Sequence, residues 1–515
     1  MTYYSTTPPR VPTPPTSPTS PTPPTPPTSP SPPSRVQRRA APGRVAALAV
    51  LVAACAGIVH LARTDAALSA EAAVTLIVFV IAVWLWIFTR VDDTYVALGA
   101  AVGLTVVGVT DADALFATLG DDIVWLLLSA FVIAAGVASS GLATRGAAFL
   151  VTGARTPRAL IHLVTAALVV TAFAVPSTSG RAALVLPVFV AIAAVLSDRP
   201  RLVRALALLF PTVILLSAVA SLLGAGAHLI TSQIVATATG AGFDFATWML
   251  LGLPLAIVSS HAAAELVLRM FTAADDRRRH LTITAEDIGA HSSTPVTGPF
   301  TVAESRSAVL LAVVTVLWCT EPLHGIHPAV VALLGALVAA SPRYGSVRLG
   351  AALKTVPWSL LLFMAATLSI GTALTTSGAA DWLANTAFGP LTARGAAAGP
   401  LFVVVVVGVS TAAHLVIQSR SARSAVLIPV VVALAPTVGV DPLAAAFIST
   451  AAAGFCHTLP SSAKPVTLFS SVSDVPTYTS RDLLRLSAVL GPLSAVLVLL
   501  FAWFVWPLLG MPLFP

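Results

Sequence analysis

The sequence predicts an all-α integral membrane protein of about eleven transmembrane helices plus two re-entrant hairpins, in two inverted-topology repeats. Three observations lead there. First, 57% of the 515 residues are hydrophobic and only 10% are charged, with a mean hydropathy of +0.92, whereas a soluble globular domain carries about 25% charged residues. Second, the apolar residues fall into runs near the length that spans a bilayer. Third, a pair of short apolar runs joined by a polar, helix-breaking tip occurs twice. This composition excludes a soluble enzyme, a nucleic-acid binder and a secreted disulfide scaffold. Cys55, Cys319 and Cys456 lie far apart in apolar surroundings and show neither metal spacing nor a disulfide framework. The net charge of +7 reports basic loops of a membrane protein rather than affinity for nucleic acid.

Residues 1–44 form a separate regime. Fourteen prolines between Pro8 and Pro33, mixed with Ser and Thr, cannot build a packed core and predict an extended, solvated tail. Arg35, Arg38, Arg39 and Arg44 precede the first apolar run without an intervening acid, which predicts a cytoplasmic N-terminus in a multi-pass protein of the cell membrane. Residues 45–270 form the first transmembrane half, with apolar segments at 45–63, 72–89, 94–110, 122–138, 160–176, 182–197, 204–222, 228–240 and 246–270. A polar linker, 271–305, carries Asp275, Asp276 and Arg277–Arg279. The second half, 306–515, resumes at 306–320, 328–341, 356–376, 398–417, 422–438, 442–459, 464–473 and 483–508.

Four of these places are interrupted. Segments 160–176 and 182–197 are joined by Val175-Pro176-Ser177-Thr178-Ser179-Gly180, and each arm is too short for a full crossing. Segments 398–417 and 422–438 repeat the pattern around Ser419-Arg420-Ser421. Two further helices break at Gly224–Ala227 and at Leu459–Ser462. Non-helical backbone at membrane depth is tolerated only beside protein or a water-filled cavity, and paired breaks in two halves point to a transport site.

The halves align. Residues 177–193 (STSGRAALVLPVFVAIA) and 419–435 (SRSARSAVLIPVVVALA) share nine of seventeen positions, among them Ser177/Ser419, Ser179/Ser421, Arg181/Arg423 and Pro187/Pro429. Upstream, Trp125 with GVASSGLA resembles Trp358 with GTALTTSGAA. A unit of five spanning helices plus one hairpin has an odd number of crossings, so its second copy is inverted.

The repeated residues carry the chemistry. Arg181 and Arg423 are charges at membrane depth, and the few acids in the spans (Glu71, Glu321, Asp381) do not repeat with them. Unmatched guanidiniums predict that the negative charge arrives as a ligand, a carboxylate or a sulfate-like oxyanion. Ser177, Thr178, Ser179, Ser419 and Ser421 stand where a hairpin arm restarts, so their hydroxyls can cap a half-helix whose positive end favours anions. Arg420 adds fixed charge at the second tip. His228 follows one break and Lys464 lies in the other, which makes them coupling candidates; His414 and His457 are weaker ones.

Together these landmarks resemble the divalent anion:sodium symporters, also called sodium/sulfate–dicarboxylate symporters, of the ion transporter superfamily, over residues 50–510. Each hairpin tip in that family reads Ser-Asn-Thr, with a proline ten positions after the Ser; Ser177 to Pro187 and Ser419 to Pro429 keep the spacing. Ala225–His228 and Ala463–Val466 occupy the places of the family's Thr-Pro-Pro-Asn-like stretches. The resemblance implies a homodimeric secondary active transporter of small divalent anions, dicarboxylate or sulfate, working by an elevator motion, with Na⁺ or H⁺ as coupling ion and no cofactor. Family sodium sites use the tip Asn, which here is Thr178 in one copy and Arg420 in the other. Exchange or proton coupling without sodium is therefore expected, with a sodium-coupled symporter as the alternative. Arg181 and Arg423 take a position that is also Arg in plastid-type dicarboxylate exchangers. An intramembrane hydrolase using Ser179 or Ser421 is a reading from another class, but neither serine has a Gly-x-Ser-x-Gly context. A channel-like or arsenite-antiporter relative of similar architecture is a third.

Overall fold

The computed structural model describes residues 42–290, 297–392, 397–473 and 475–514, and these are helices and connecting loops throughout. The Pro-rich segment before Pro42 lies outside the described residues. Among the described residues twelve helices are long and apolar enough to cross a membrane. They include Pro157–Ala174, Thr178–Val195, Ala398–Leu415 and Arg420–Val438, the arms of the expected hairpins, so the expectation that each arm is too short for a crossing is corrected. Three further apolar helices, Asp93–Val106, Pro328–Ala339 and Pro442–Ala452, are shorter.

Local chemistry fixes the ends. Helix α1 (Pro42–Thr64) is followed by α2 (Ala70–Phe88), whose N-cap Ser69 accepts a hydrogen bond from the Ala72 amide. Helix α3 (Asp93–Val106) is short: Asp92 caps its start, and Gly108 at φ 82° turns the chain soon after its last turn. Helix α4 (Asp122–Ser140) ends at Gly141, also left-handed. The first hairpin is α5 (Pro157–Ala174) and α6 (Thr178–Val195). Pro176 prevents a continuous helix between them, since it cannot donate to the ladder. Next come α7 (Pro200–Leu216), a 3₁₀ break, α8 (Gly226–Thr239) and α9 (Phe245–Phe271).

The second half is α10 (Val302–Cys319), α11 (Pro328–Ala339), α12 (Trp358–Thr376), the hairpin arms α13 (Ala398–Ala412) and α14 (Arg420–Leu434), α15 (Pro442–Ala452), a break, α16 (Lys464–Ser470) and α17 (Ser480–Leu500). Helices at Leu142–Val151 and Ala379–Thr392 were not expected as separate elements. Each follows a left-handed glycine, Gly141 or Gly378, which redirects the chain after α4 and α12 respectively.

The packing repeats with the sequence. Helix α3 lies along α12, and α11 lies along α4, so each half's short helix packs on the other half's long one. The core is in two parts: α5, α6, α7 and α16 pack mainly into one cluster around Phe189, Phe210 and Phe469, the other helices mainly into the second, and α9 and α17 contribute to both. Most exposed large side chains are apolar, as on α10 and α11, the surface expected of helices in lipid.

The break after α7 depends on glycine. A Cβ on Gly252 of α9 would lie 2.0 Å from the Val219 carbonyl oxygen, the same oxygen that accepts the Trp248 indole N–H at 3.0 Å. Gly252→Ala forces α9 away from the break, and a thermal unfolding scan should register a loss of about 1–3 kcal/mol, the usual cost of overpacking.

Candidate functional site

Both hairpin tips and both helix breaks meet at one cavity of about 450 Å³. Pro176–Ser179 and Gln418–Ser421 contribute the tips, Ala225–Ala227 and Ser461–Pro465 the breaks. The remaining wall comes from Asp92–Thr94 at the start of α3 and from Pro357, Ser359, Leu360 and Phe363 at the start of α12. Thr94 donates from its hydroxyl to the Ser359 carbonyl at 3.0 Å, tying those two starts together.

Five helices of fourteen residues or more therefore begin at this cavity: α3, α6, α8, α12 and α14. Each brings the positive end of its dipole, although at α3 the amides of Thr94 and Tyr95 are already taken by Asp92. Ser177 and Ser419 cap the tips alike, each accepting from the amide three residues on, Gly180 or Ala422, at 3.3 Å. The breaks are also alike. Ala225 (φ −157°, ψ 148°) and Ala463 (φ −156°, ψ 144°) are extended, each follows a 3₁₀ turn, and neither has a side chain to cap the helix it starts. The amides at these two starts have no side-chain acceptor, and Ala225–Ala227 and Ala463–Pro465 line the cavity.

The charges are placed unevenly. Arg420 is half-buried on the second tip and Lys464 is exposed at the second break, both on the cavity wall. Among the described residues neither takes part in an ion pair, and the Nη1 of Arg420 is buried without a partner. Asp92 and Asp93 lie opposite, but Asp92 is occupied by the amides of Thr94 and Tyr95 at 2.9 and 3.2 Å.

Of the residues singled out in the sequence, Ser177, Thr178, Ser179, Ser419, Arg420, Ser421 and Lys464 line the cavity. Arg181 and Arg423 do not; both are fully buried behind the tips. Arg181 donates to the Leu168 and Ile214 carbonyls at 2.6 and 3.0 Å and to the Thr171 and Ser217 hydroxyls at 3.0 and 2.7 Å. The expectation that this guanidinium waits for a ligand is thus corrected: carbonyls and hydroxyls of α5, of the end of α7 and of the break after it satisfy it. Arg423 has one bond, from Nη1 to the Ala453 carbonyl at 3.2 Å, while its Nε and Nη2 lack partners among the described residues.

His228 is also buried behind the wall, stacked on Trp248 at 4.9 Å, with its Nδ1 3.0 Å from the Ser221 carbonyl oxygen. Asp92, Asp93, Gln418 and the starts of α3 and α12 were missed. The available signal was the doubled acid in Val-Asp-Asp-Thr, an N-cap pattern at the start of a short apolar run. Among the described residues no group of three or more His, Cys, Asp or Glu could hold a metal ion.

Comparison with known proteins gives a consistent picture. The model of a family described as "Sodium:sulfate symporter transmembrane region" matches residues 43–512. A protein named only "Membrane protein", from Cupriavidus necator, is 24% identical over 394 residues, covering 75% of this chain and 74% of its own. The "Sodium-dependent dicarboxylate transporter SdcS" of Staphylococcus saprophyticus is 22% identical over 461 residues, covering 84% and 86% respectively. Two solved structures share the fold. The Neisseria gonorrhoeae MtrF structure has a TM-score of 0.56 at 14% identity and covers 86% of this chain and 96% of its own. The Alcanivorax borkumensis YdaH transporter has a TM-score of 0.50 at 16% identity and covers 84% and 99%.

Proposed function

The chain belongs to the sodium:sulfate symporter family, and on that premise we propose that it is a secondary active transporter of small divalent anions, dicarboxylate or sulfate, held between the two hairpin tips. The observation that carries the reading is the convergence of five helix starts on a cavity whose only basic side chains are Arg420 and Lys464. Helix starts favour anions, and a volume of about 450 Å³ lies in the small-molecule range. The paired hydroxyls of Ser177, Ser179, Ser419 and Ser421 supply neutral donors on either side of the ligand. Lys464 is a point charge, and Arg420 offers a planar fork for two oxygens of one carboxylate or sulfate. Arg181 and Arg423 act as positioning residues that hold the tips from behind.

The two halves act as inverted repeats with re-entrant hairpins, and the cavity moves with the hairpins past α3, α4, α11 and α12 as an elevator in each protomer of a homodimer. Orientation follows from the basic residues. The connections 65–69, 107–121, 240–244, 320–327 and 435–441 contain no Lys or Arg and 377–397, on the same side, contains only Arg394, whereas Arg90, Arg155, Arg199, Arg277–Arg279, Arg343 and Arg348 lie in the alternate set. The positive-inside tendency makes that alternate set, and with it the N-terminus, cytoplasmic.

The guanidinium of Arg420 stands at a tip where a coupling cation is expected from the family, and the like charges of Arg420 and Lys464 repel one. Transport is therefore read as independent of sodium, by exchange or proton coupling. The name of the S. saprophyticus relative favours the alternative, a sodium-coupled symporter. Uptake of labelled succinate and sulfate into proteoliposomes separates them. Exchanging a Na⁺ gradient for K⁺ is expected to change the initial rate by less than about fivefold, the lower end of an energetic coupling. A larger loss establishes sodium coupling, and no uptake of any C4–C6 dicarboxylate or sulfate, under either gradient, refutes the anion reading.

A further inference from the structure

A second crevice lies away from the cavity, on the outer face where the start of α10 meets the end of α11. It encloses about 490 Å³; Val309, Leu310 and Val313 of α10 and Val338 and Ala339 of α11 form an apolar wall, and Ser305, Arg306, Ser307, Tyr344 and Ser346 form its polar end. Val309, Val313 and Val338 are 62%, 49% and 49% exposed, so the crevice opens sideways, along two helices that pack in the membrane-spanning set. At its mouth Tyr344 is flanked by two guanidiniums, Arg306 and Arg343, whose Cζ atoms lie 5.3 and 5.4 Å from the ring centroid. Arg306 also donates from Nη1 to the Arg343 carbonyl at 3.2 Å, fixing the turn after α11 against the start of α10. Neither arginine takes part in an ion pair among the described residues; the nearby Glu304 is bonded to Arg145 at 2.6 Å.

We propose that this crevice is a binding site for one anionic phospholipid, its phosphodiester held by Arg306 and Arg343 and an acyl chain lying along Val309, Val313 and Val338. Two like charges on one aromatic ring repel each other unless an anion lies between them, and a guanidinium pairs with phosphate through two parallel hydrogen bonds. The apolar wall continues from that charged mouth toward the bilayer centre, which matches an amphiphile with a charged head and a hydrocarbon tail. Basic pockets between spanning helices on the cytoplasmic side suit anionic headgroups, and the mouth lies on the side bearing Arg277–Arg279 and Arg348. A second copy of the chain fits less well. A two-fold interface centred on this crevice would bring Arg306, Arg343 and Arg348 of both protomers together.

Native mass spectrometry of the purified full chain tests the site, with palmitoyl-oleoyl phosphatidylglycerol and phosphatidylcholine offered in parallel. One retained phosphatidylglycerol per chain that phosphatidylcholine does not displace is expected. The double variant Arg306→Gln/Arg343→Gln should lower its occupancy at least about tenfold. Val338→Trp, which fills the crevice without touching the charges, should do the same. Equal retention of the two lipids overturns the proposal, as does retention by both variants. Displacement of the lipid by sn-glycerol 3-phosphate shows a site for soluble phosphate and overturns it too. So does a lipid-free preparation in which the variants change only the oligomeric state, because the face is then an interface between copies.

Discussion

Arg420→Gln is expected to weaken anion binding by about 30-fold or more, because deleting a charged donor to a largely desolvated anion costs about 2–5 kcal/mol. The guanidinium is half-buried at the second hairpin tip, its Nη1 has no protein partner among the described residues, and it forms no ion pair there. On the proposed reading its partner is the anion in the cavity that it lines. Arg420→Lys keeps the charge but loses the fork, and should recover part of the affinity and less of the discrimination between carboxylate and sulfate. Lys464→Gln should cost less, since the ammonium is exposed and water screens it. Ligand-induced thermal shifts, titrated with succinate and with sulfate, read all three variants. Unchanged midpoints of titration in Arg420→Gln would remove the central support for anion recognition at the second tip.

The mirrored arginines behind the tips should respond unequally. Arg181→Leu removes four buried hydrogen bonds, to the carbonyls of Leu168 and Ile214 and the hydroxyls of Thr171 and Ser217. The two hydroxyls still donate to the Leu168 and Val213 carbonyls, but four charge-assisted bonds are lost and a void is left, so a loss of about 3 kcal/mol is expected. Arg423→Leu strands only the Ala453 carbonyl and removes two donors that have no partners among the described residues. It should be far milder, and neutral if the apolar side chain fills the space. Thermal denaturation of both variants in one detergent decides the matter. Equal destabilisation would mean that the surroundings of Arg423 are as fully bonded as those of Arg181.

These two arginines also show where reading the sequence succeeds and fails. The hairpin tips and breaks were legible because Pro176, Gly224 and Pro460 interrupt otherwise apolar runs, and a helix in hydrocarbon cannot be interrupted without another source of hydrogen bonds. The duplicated Ser-x-Ser-x-Arg was legible as a repeat. Its arginine's partners were not, because Ile214 and Ser217 are more than thirty residues from Arg181 in sequence and offer backbone oxygen and a hydroxyl rather than charge. Pairing the arginines with carboxylates, the only acceptors a sequence displays as charges, left a ligand as the remaining source of negative charge. The same limit hid Asp92, Asp93 and the start of α12, which reach the cavity only through the packing of α3 on α12. His228 looked like a coupling residue as a lone histidine in an apolar run, whereas its ring stacks on Trp248 and contacts the break at Ser221.

Ala225 and Ala463 start their helices with no side-chain oxygen to offer the first amides. Main-chain donors of this kind survive every substitution except proline. On the proposed anion reading, the side chains around them can change while these main-chain donors go on offering partial positive charge to the ligand.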